Sequence, residues 1–549
     1  MDLTGLKQNF KGEITTHEAS LEEFSRDASI FQIAPTAIAF PRDTTDICEL
    51  VKYVTLHKAE QPELSITARG GGTDMTGGSI NDSIILKMSR TLNGISNLTE
   101  TSVVTEAGVM FRDLEVKLTS HNRMMPAYPV SKNWAAVGGM VGNNAAGEKT
   151  LKYGQVKNFV QELEVVLSDG KVYTIKPLSE QELKAKMALQ NFEGKFYREI
   201  YELIQSNYKI IKEAKPTTSK NSSGYYLWDV WDGTTFDLTK LFVGSQGTLG
   251  IITKIKWRIV PIERHSKLVV FFLSEIKDLG QIVSHVKELR PESFEIFDEH
   301  TIKLALKYLP EIIEKMRKGY NLSWLKLLWQ FLPEIWMSLW GGLPKIVLLA
   351  EFSGEDEASV MRQAQMAESN IREFFNLPTH ITKSFEESQK YWTIRRESYN
   401  LLMKHNARKL SAPFIEDIIV HTDQLPIFLP QLDAIIAKYP DFVYTIAGHA
   451  GDANFHVIPL VDVSEERHRE QIIQMSNEVF QLVKDFRGSM SAEHNDGIVR
   501  GAFLEFMFGP KIYELFKQTK HIFDPLNIFN PHKKTDATLS YYADHIRHR

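Results

Sequence analysis

Cysteine is nearly absent from this chain: one residue, Cys48, in 549. A disulfide within the chain is excluded, and so are a four-Cys zinc site and a Cys-ligated iron–sulfur cluster held by this chain alone. Any metal must use histidine and carboxylate. Charge of one sign is not in excess either. The 64 Lys and Arg face 69 Asp and Glu, for a net charge of −5, which gives no footing for a nucleic-acid partner. The N-terminal MDLTGLKQNF lacks the apolar core of a signal peptide, so a cytoplasmic location is the default expectation. Long apolar runs are missing except at 319–344, GYNLSWLKLLWQFLPEIWMSLWGGLP, which holds four of the nine tryptophans: Trp324, Trp329, Trp336 and Trp340. Pro333 interrupts it where a spanning helix must be continuous, so a transmembrane span is rejected. The aromatics, with the basic EKMRKGY before them, fit peripheral contact with the cytoplasmic membrane surface. A buried lid or a subunit interface fits slightly better.

What is present is a soluble globular composition, 43% hydrophobic and 24% charged, over a length that calls for two or three domains. IAPTAIAFPRDTTDICELVKYVTLH reads as a strand, a proline turn and a helix, with Thr44 or Thr45 as N-cap and Ile47, Leu50, Val51 and Val54 as its apolar face. A strand LSITA (64–68) follows, then RGGGTDMTGG (69–78), then a strand SIILKM (83–88). No Gly-Lys-Ser/Thr follows the glycines, and the next element reads as strand, so neither a P-loop nor a Rossmann fingerprint fits. Glycine clusters can still present backbone N–H groups to an anion and admit a ligand closely, although a loop without any ligand is an equal reading of one cluster alone. Two more clusters follow: YPVSKNWAAVGGMVGNNAAGEKTLKYG (128–154), with Gly138, Gly139, Gly142 and Gly147, and LFVGSQGTLGIITKIKWRIVP (241–261), with Gly244, Gly247 and Gly250. Three glycine-rich loops beside strands suggest one large phosphate-bearing ligand.

In TIAGHAGDANFHVIPL (445–460), His449 and His456 lie seven apart. One unbroken strand would put them on opposite faces. Gly451-Asp452 signals a two-residue hairpin turn. With the chain turning there, His449 faces Asn454, and His456 is a diagonal neighbour on the same face. Two such imidazoles can share a metal or be hydrogen-bonded structural residues, and both readings stand. Beyond an amphipathic helix over 465–486 comes GSMSAEHNDGIVRG (488–501), with adjacent Glu493 and His494. Adjacent side chains diverge, so one can reach a metal while the other faces a reacting carbon. A His/His/Glu set with an open position is the donor set of a catalytic zinc or similar divalent ion.

The three glycine segments resemble the FAD-binding domain of the vanillyl-alcohol oxidase (PCMH-type) flavoproteins. The second half resembles the cap of the FAD-linked D-2-hydroxy acid dehydrogenases: D-lactate dehydrogenase, the glycolate oxidase flavin subunit and D-2-hydroxyglutarate dehydrogenase. Their Gly-His-x-Gly-Asp-Gly-Asn-x-His and Ser-Gly-Glu-His-Gly-x-Gly stand here at 448–456 and 491–497, with Ala453 in place of glycine and SAEHNDG for the second. The resemblance implies an α+β fold: a two-subdomain FAD-binding domain over 1–262, a cap with an antiparallel sheet over 263–520 carrying the insertion 319–344, and a C-terminal segment, 521–549, returning to the FAD domain. It implies that Arg69, Gly70, Gly71, Gly72, Thr73, Asp74, Gly77, Pro129, Gly138, Gly139, Gly142, Asn143, Asn144, Gly147, Gly247, Gly250, Ile251, Ile252, Asn530 and Lys533 bind FAD. No histidine occurs from 58 to 120, so non-covalent FAD is expected through the first loop. By the same analogy His449, His456 and Glu493 hold a divalent metal, zinc by preference, and His494 is the base. Arg395, in YWTIRRESYNLL, clamps the substrate carboxylate with its guanidinium fork; a helix-surface arginine paired with Glu397 or a neighbouring acid is the plainer alternative. Asn495 and Asp496 are expected to alter the substrate's shape or the base's pKa.

The implied reaction is oxidation of a small D-2-hydroxy acid to the 2-oxo acid. The implied electron acceptor is a quinone, a separate iron–sulfur or electron-transfer protein, or oxygen. Two rivals remain: an alkyl-dihydroxyacetone-phosphate synthase-like flavin transferase, and an inactive flavin-binding subunit.

Overall fold

A computed structural model of the chain describes residues 3, 5–320, 331, 342–404 and 409–548. The four tryptophans of the insertion lie outside the described residues. Among the described residues no helix is long and apolar enough to cross a membrane. The chain divides into two compact units. The first comprises Met1–Gly147, Gln155–Ile262 and Ser491–Arg547, and the second comprises Glu148–Gly154 with Glu263–Met490. The return to the first unit thus begins at Ser491, where the sequence reading had placed it at 521, and a seven-residue piece, 148–154, is lent to the second unit.

The first unit contains two principal sheets. In one, β1 (Glu13–Thr15), β2 (Ala37–Phe40), β3 (Ile66–Arg69) and β4 (Ile84–Lys87) run in the order β1-β2-β4-β3. The β2–β4 and β3–β4 pairs are parallel, and β1 is an antiparallel edge. The parallel strands are short and buried nearly throughout, as strands covered on both faces must be. Helix α1 (Thr44–His57) buries Ile47, Leu50, Val51 and Val54. Its N-cap is Asp43, whose carboxylate accepts from the N–H groups of Thr45 and Asp46. The expected threonine caps are displaced because a carboxylate one residue earlier satisfies two orphan donors at once.

The second sheet is antiparallel. It is built from β5 (Ile95–Ser96), β6 (Ser102–Glu106), β7 (Val160–Val166), β8 (Val172–Ile175) and β9 (Ile251–Arg258), in the order β5-β6-β9-β7-β8. Trp257 of β9 is fully buried and donates its indole N–H to Thr105 Oγ1 at 2.9 Å. The segment VGGMVGN, expected as loop, is helix α2 (Val137–Asn143), closed by Asn144 in the left-handed conformation at φ 53°. After a C-terminal helix (Pro510–Phe523), the chain lies along β3: the Ile66 N–H donates to Ile528 O, and the Asn530 N–H donates to Ile66 O.

The second unit is one antiparallel sheet. Its strands are β10 (His265–Leu273), β11 (Ser293–Asp298), β12 (Ile346–Gly354), β13 (Thr379–Ile381), β14 (Leu410–Ser411), β15 (Ile418–Ile419), β16 (Val443–His449) and β17 (Asn454–Val461). The order is β13-β10-β12-β11-β16-β17-β14, with β15 also on β17. Helix α3 (Glu357–Phe375) packs on β10 and β12 through Val360, Ala364, Ala367 and Ile371. Helix α4 (Phe385–Lys404) buries Tyr391, Trp392 and Ile394 in an apolar cluster with Val270, Phe297, Val347 and Leu349. That packing fixes the face on which Arg395 and Arg396 emerge.

Candidate functional sites: a glycine cradle and a histidine–carboxylate cluster

The first unit gathers its three glycine segments by hydrogen bonds. Asp74 folds the first loop: its Oδ2 accepts from Thr76 N (3.0 Å), Thr76 Oγ1 (2.9 Å) and Gly78 N (2.6 Å), while Oδ1 accepts from Asn143 Nδ2 (2.9 Å). Gln246, left-handed at φ 51°, ties the third segment to the other two. Its Nε2 donates to Thr76 Oγ1 (3.2 Å) and Asn143 Oδ1 (3.3 Å), and its N–H donates to Gly142 O. Asn530 closes the assembly, donating to Gly78 O (2.8 Å) and Gln246 O (2.7 Å) and accepting from Thr67 Oγ1 (2.9 Å).

The glycines divide into two kinds. Some are required by the fold: a Cβ on Gly71 would stand 1.9 Å from Trp134 O, one on Gly147 2.2 Å from Tyr128 O beside Pro129, and one on Gly138 2.7 Å from Ala107 O. Others face space. A Cβ on Gly139 meets nothing within 4 Å, one on Gly247 only Ala68 Cβ at 3.9 Å, and one on Gly142 only Gln246 Cα at 3.7 Å. Glycines that no protein atom crowds, on segments held this firmly, fit a large ligand lying against the backbone. The residues present therefore fit the FAD that the glycine pattern implies.

Several expected FAD residues spend their polar atoms on the protein itself. Arg69 donates to the carbonyls of Phe24 (3.1 Å) and Arg26 (2.6 Å). Asn144 donates to Tyr226 Oη at 3.1 Å and to Asn221 O at 3.3 Å. Lys533 donates to Ile80 O at 2.9 Å, and burial pushes its ammonium down to about 8. These side chains build the cradle walls. Gly70, Gly72, Thr73 and Gly77 lie in the first loop, and Gly250, Ile251 and Ile252 form the entry to β9.

The 491–497 segment also belongs to the first unit. Glu493 is buried, with Oε2 3.0 Å from Nζ of Lys220, itself fully buried. His494 is more exposed, its Nε2 3.6 Å from Glu493 Oε1. Asn495 and Asp496, beside His494 in the chain, are held by other groups. Asn495 donates to Asn143 O (3.2 Å) and Gly244 O (2.9 Å). Asp496 accepts from Ser223 Oγ (2.6 Å), Gly224 N (2.9 Å) and Lys534 Nζ (2.7 Å). Both are buried polar groups satisfied by the first unit's own backbone and side chains.

In the second unit, β16 and β17 pair with His449 opposite Asn454 and Ala447 opposite His456, the register read from the sequence. The connection is longer than the expected two-residue turn. It is a 3₁₀ turn, Ala450–Asp452, followed by Ala453 in the left-handed region at φ 54°. Glycine would adopt that conformation without strain. The imidazole centroids lie 5.2 Å apart, nearly perpendicular, and a ring nitrogen of each lies within 4.8 Å of the other. His449 Nδ1 is 2.6 Å from Glu295 Oε1, and His456 Nδ1 is 3.0 Å from Glu416 O. A carbonyl and a carboxylate both accept, so each Nδ1 is the donor, and in the neutral ring Nε2 is then the lone-pair nitrogen. Imidazoles whose second nitrogen is engaged in this way have the chemistry to hold a metal ion. Glu416 and Asp417, both fully buried, have carboxylate oxygens within the same 4.8 Å reach of a His456 ring nitrogen.

Arg395 is buried, and its guanidinium lies 3.2 Å from Glu295 Oε2. Glu397 pairs with Lys315, and the burial of Arg395 speaks against the helix-surface reading. Arg396 holds Glu148 by two bonds of 2.6 Å. Burial alone would raise the Glu148 carboxyl, but Arg396, with Arg395 and His449 behind it, holds it down at about 2.

Sequence reasoning missed Glu295, Glu416, Asp417 and Gln246, whereas Lys220 stands in KNSSGY (220–225), which resembles the family's Lys-Asn-x-Ser-Gly-Tyr segment. A signal existed only for Gln246, which sits inside a glycine cluster.

Two domain families match the chain. The FAD binding domain matches residues 35–176, and the FAD linked oxidases' C-terminal domain matches 262–534. D-2-hydroxyglutarate dehydrogenase of Pseudomonas putida is 26% identical over 95% of this chain and 50% of its own length, so the chain spans about half of that relative. Glycolate oxidase subunit GlcD of Bacillus subtilis is 25% identical over 93% of this chain and 91% of its own. D-lactate dehydrogenase of Archaeoglobus fulgidus is 25% identical over 91% and 93%. Among solved structures, p-cresol methylhydroxylase with substrate bound superposes with a TM-score of 0.65 at 16% identity, covering 98% of this chain and 96% of that one. Alkyldihydroxyacetonephosphate synthase gives 0.62 at 13%, covering 95% and 82%. These likenesses carry the fold alone, the α+β PCMH-type FAD-oxidase arrangement. With an FAD-binding domain followed by this C-terminal domain, the chain belongs to the FAD-linked oxidase family.

Proposed function

We propose that the chain is an FAD-dependent dehydrogenase that oxidises a D-2-hydroxy acid to the 2-oxo acid. The observation that carries this reading is the second unit's cluster: two imidazoles with both Nδ1 atoms committed, beside a buried arginine. The substrates in the relatives' names share one reacting end, a hydroxyl on the carbon next to a carboxylate. Arg395 binds that carboxylate through its planar fork. His449 and His456 offer their Nε2 atoms to a divalent ion, and Glu493 is the third donor. Zinc suits His₂Glu, and it would supply Lewis acidity at the hydroxyl oxygen. His494 takes the hydroxyl proton on a ring nitrogen. FAD, held non-covalently by the cradle, supplies the two-electron acceptor for the hydrogen at C2. The electrons then pass to a quinone or a separate electron-transfer protein, and the 319–344 segment is a candidate for peripheral membrane contact.

The test is anaerobic. The flavin band near 450 nm is followed while D- and L-2-hydroxy acids are added, with and without prior chelation. Bleaching by one stereoisomer that chelation abolishes is the expected result. Flavin-loaded protein that no acid reduces would overturn the proposal.

A further inference from the structure

Glu295 touches both the arginine and a histidine of the cluster. It stands in the middle of β11, buried to 1% exposure, on a strand paired with β16 through Ile296–Gly448 and Phe297–Ala447. Its Oε1 lies 2.6 Å from His449 Nδ1 and its Oε2 lies 3.2 Å from Arg395. Oε2 accepts no hydrogen bond from the described residues, so its link to Arg395 is an ion pair only. A buried carboxylate is costly unless its charge is answered. Here the answer comes from two groups on separate elements: α4 for Arg395, and the β16 end for His449.

We propose that Glu295 is a positioning residue that sets both the metal-ligating state of His449 and the orientation of the Arg395 clamp. The inference rests on the reading given under Proposed function and deepens it. Through Oε1, Glu295 holds the proton on His449 Nδ1, leaves Nε2 as the lone-pair donor, and makes it a stronger base. Through Oε2 it draws one edge of the Arg395 guanidinium, so the fork's orientation is fixed before an acid arrives. Metal affinity and carboxylate affinity are therefore tied through one side chain.

The test uses the full-length, FAD-loaded protein with Zn²⁺ as probe. Zinc affinity is measured by competition with a chromophoric chelator, and KM and kcat are measured for the acid that bleaches the wild type. Glu295→Gln keeps the shape and loses the charge. It is expected to weaken zinc binding about 10–100-fold and to raise KM about tenfold, with flavin content unchanged. Glu295→Asp is expected to recover part of both. In a double cycle, E295Q and R395K should be less than additive in KM, as for residues that share one contact. Should E295Q fail to fold, the double variant Glu295→Leu with Arg395→Met removes both charges together, and zinc affinity is read from it against the single R395M.

If zinc affinity and KM stay at wild-type values in E295Q, or the effects in the cycle add fully, the inference falls while the dehydrogenase reading stands. A wild type that neither binds zinc nor is bleached by any acid overturns that reading and this inference with it.

Discussion

The cradle of the first unit and the cluster of the second are built on opposite principles. The cradle is made of backbone: glycines in three contiguous segments, with Asp74, Gln246 and Asn530 spending their side chains on holding those segments together. The cluster is made of side chains: His449 and His456 from one hairpin, Arg395 from a helix, and Glu295 and Glu416 from elsewhere in the chain. A backbone site is written locally, because a close approach requires glycine at a given place in the chain. A side-chain site is written across the fold, and only its ends carry a local pattern. Substitutions should therefore separate the two. Cradle changes should remove flavin and leave metal bound, and cluster changes should do the reverse.

The largest effect is expected at Gly139. A leucine there meets no protein atom at its Cβ, so the fold should survive and the ligand should not. Gly139→Leu is expected to be purified nearly free of flavin, with a melting temperature close to that of the flavin-stripped wild type. Gly71→Leu is the contrast, since its Cβ would collide with Trp134 O; it should fail to fold. Full flavin content in G139L would show that this open face is not part of the cradle. On the other side of the comparison, His449→Ala and His456→Ala should each lose more than about 100-fold in zinc affinity, beyond the range for an outer-shell partner. The 450 nm band should persist in both. Flavin lost together with metal would mean that the two sites are not separable in this way.

The same contrast governs what could be read from the sequence. The register His449–Asn454 followed from odd spacing and a turn signal, and the structure has it. The three glycine segments were legible, but VGGMVGN folds as a helix because its neighbours are apolar and its glycines are needed for packing as well as access. The hydrogen bonds of Asn495 and Asp496 within their own unit were not legible, because adjacency to His494 says nothing about direction. Glu295 was invisible. Five of the six residues of SFEIFD are buried, so the strand shows no alternation that would mark one glutamate as facing a site. The long-range partner Glu416 was hidden for the same reason: a satisfied buried charge looks in sequence like any surface charge.

A narrower probe is Arg395→Lys. The ammonium keeps the charge but cannot match a carboxylate with two parallel bonds. It is expected to lower kcat/KM about 10–100-fold, mostly through KM, with both zinc and flavin retained. An unchanged KM would remove Arg395 from substrate binding and leave its pairing with Glu295 as a structural matter.

The smallest effect lies at the margin of the cluster, where Glu351 of β12 shares its surroundings with Glu292. Burial first, and the charge of Glu292 second, push the Glu351 carboxyl from the ordinary 4.5 up to about 7, against the pull of Lys149 and a hydrogen bond from Ser266. Lys149 pairs with Glu292 at 2.8 Å. Between about pH 4.5 and 7 the native protein keeps a proton that the unfolded chain has lost. Stability from this group is therefore full below 4.5 and declines as pH rises through 7. Glu351→Gln carries no such proton, so its advantage over the wild type should grow from nothing near pH 4.5 to about 1–2 kcal/mol by pH 8, with allowance for partial solvent screening of a side chain that is not fully buried. Calorimetric melting of both proteins at pH 5, 6, 7 and 8 reads this as a widening gap in the transition that belongs to the second unit. A constant gap across that range would mean that Glu351 is ionised in the native state throughout, with Lys149 serving both carboxylates.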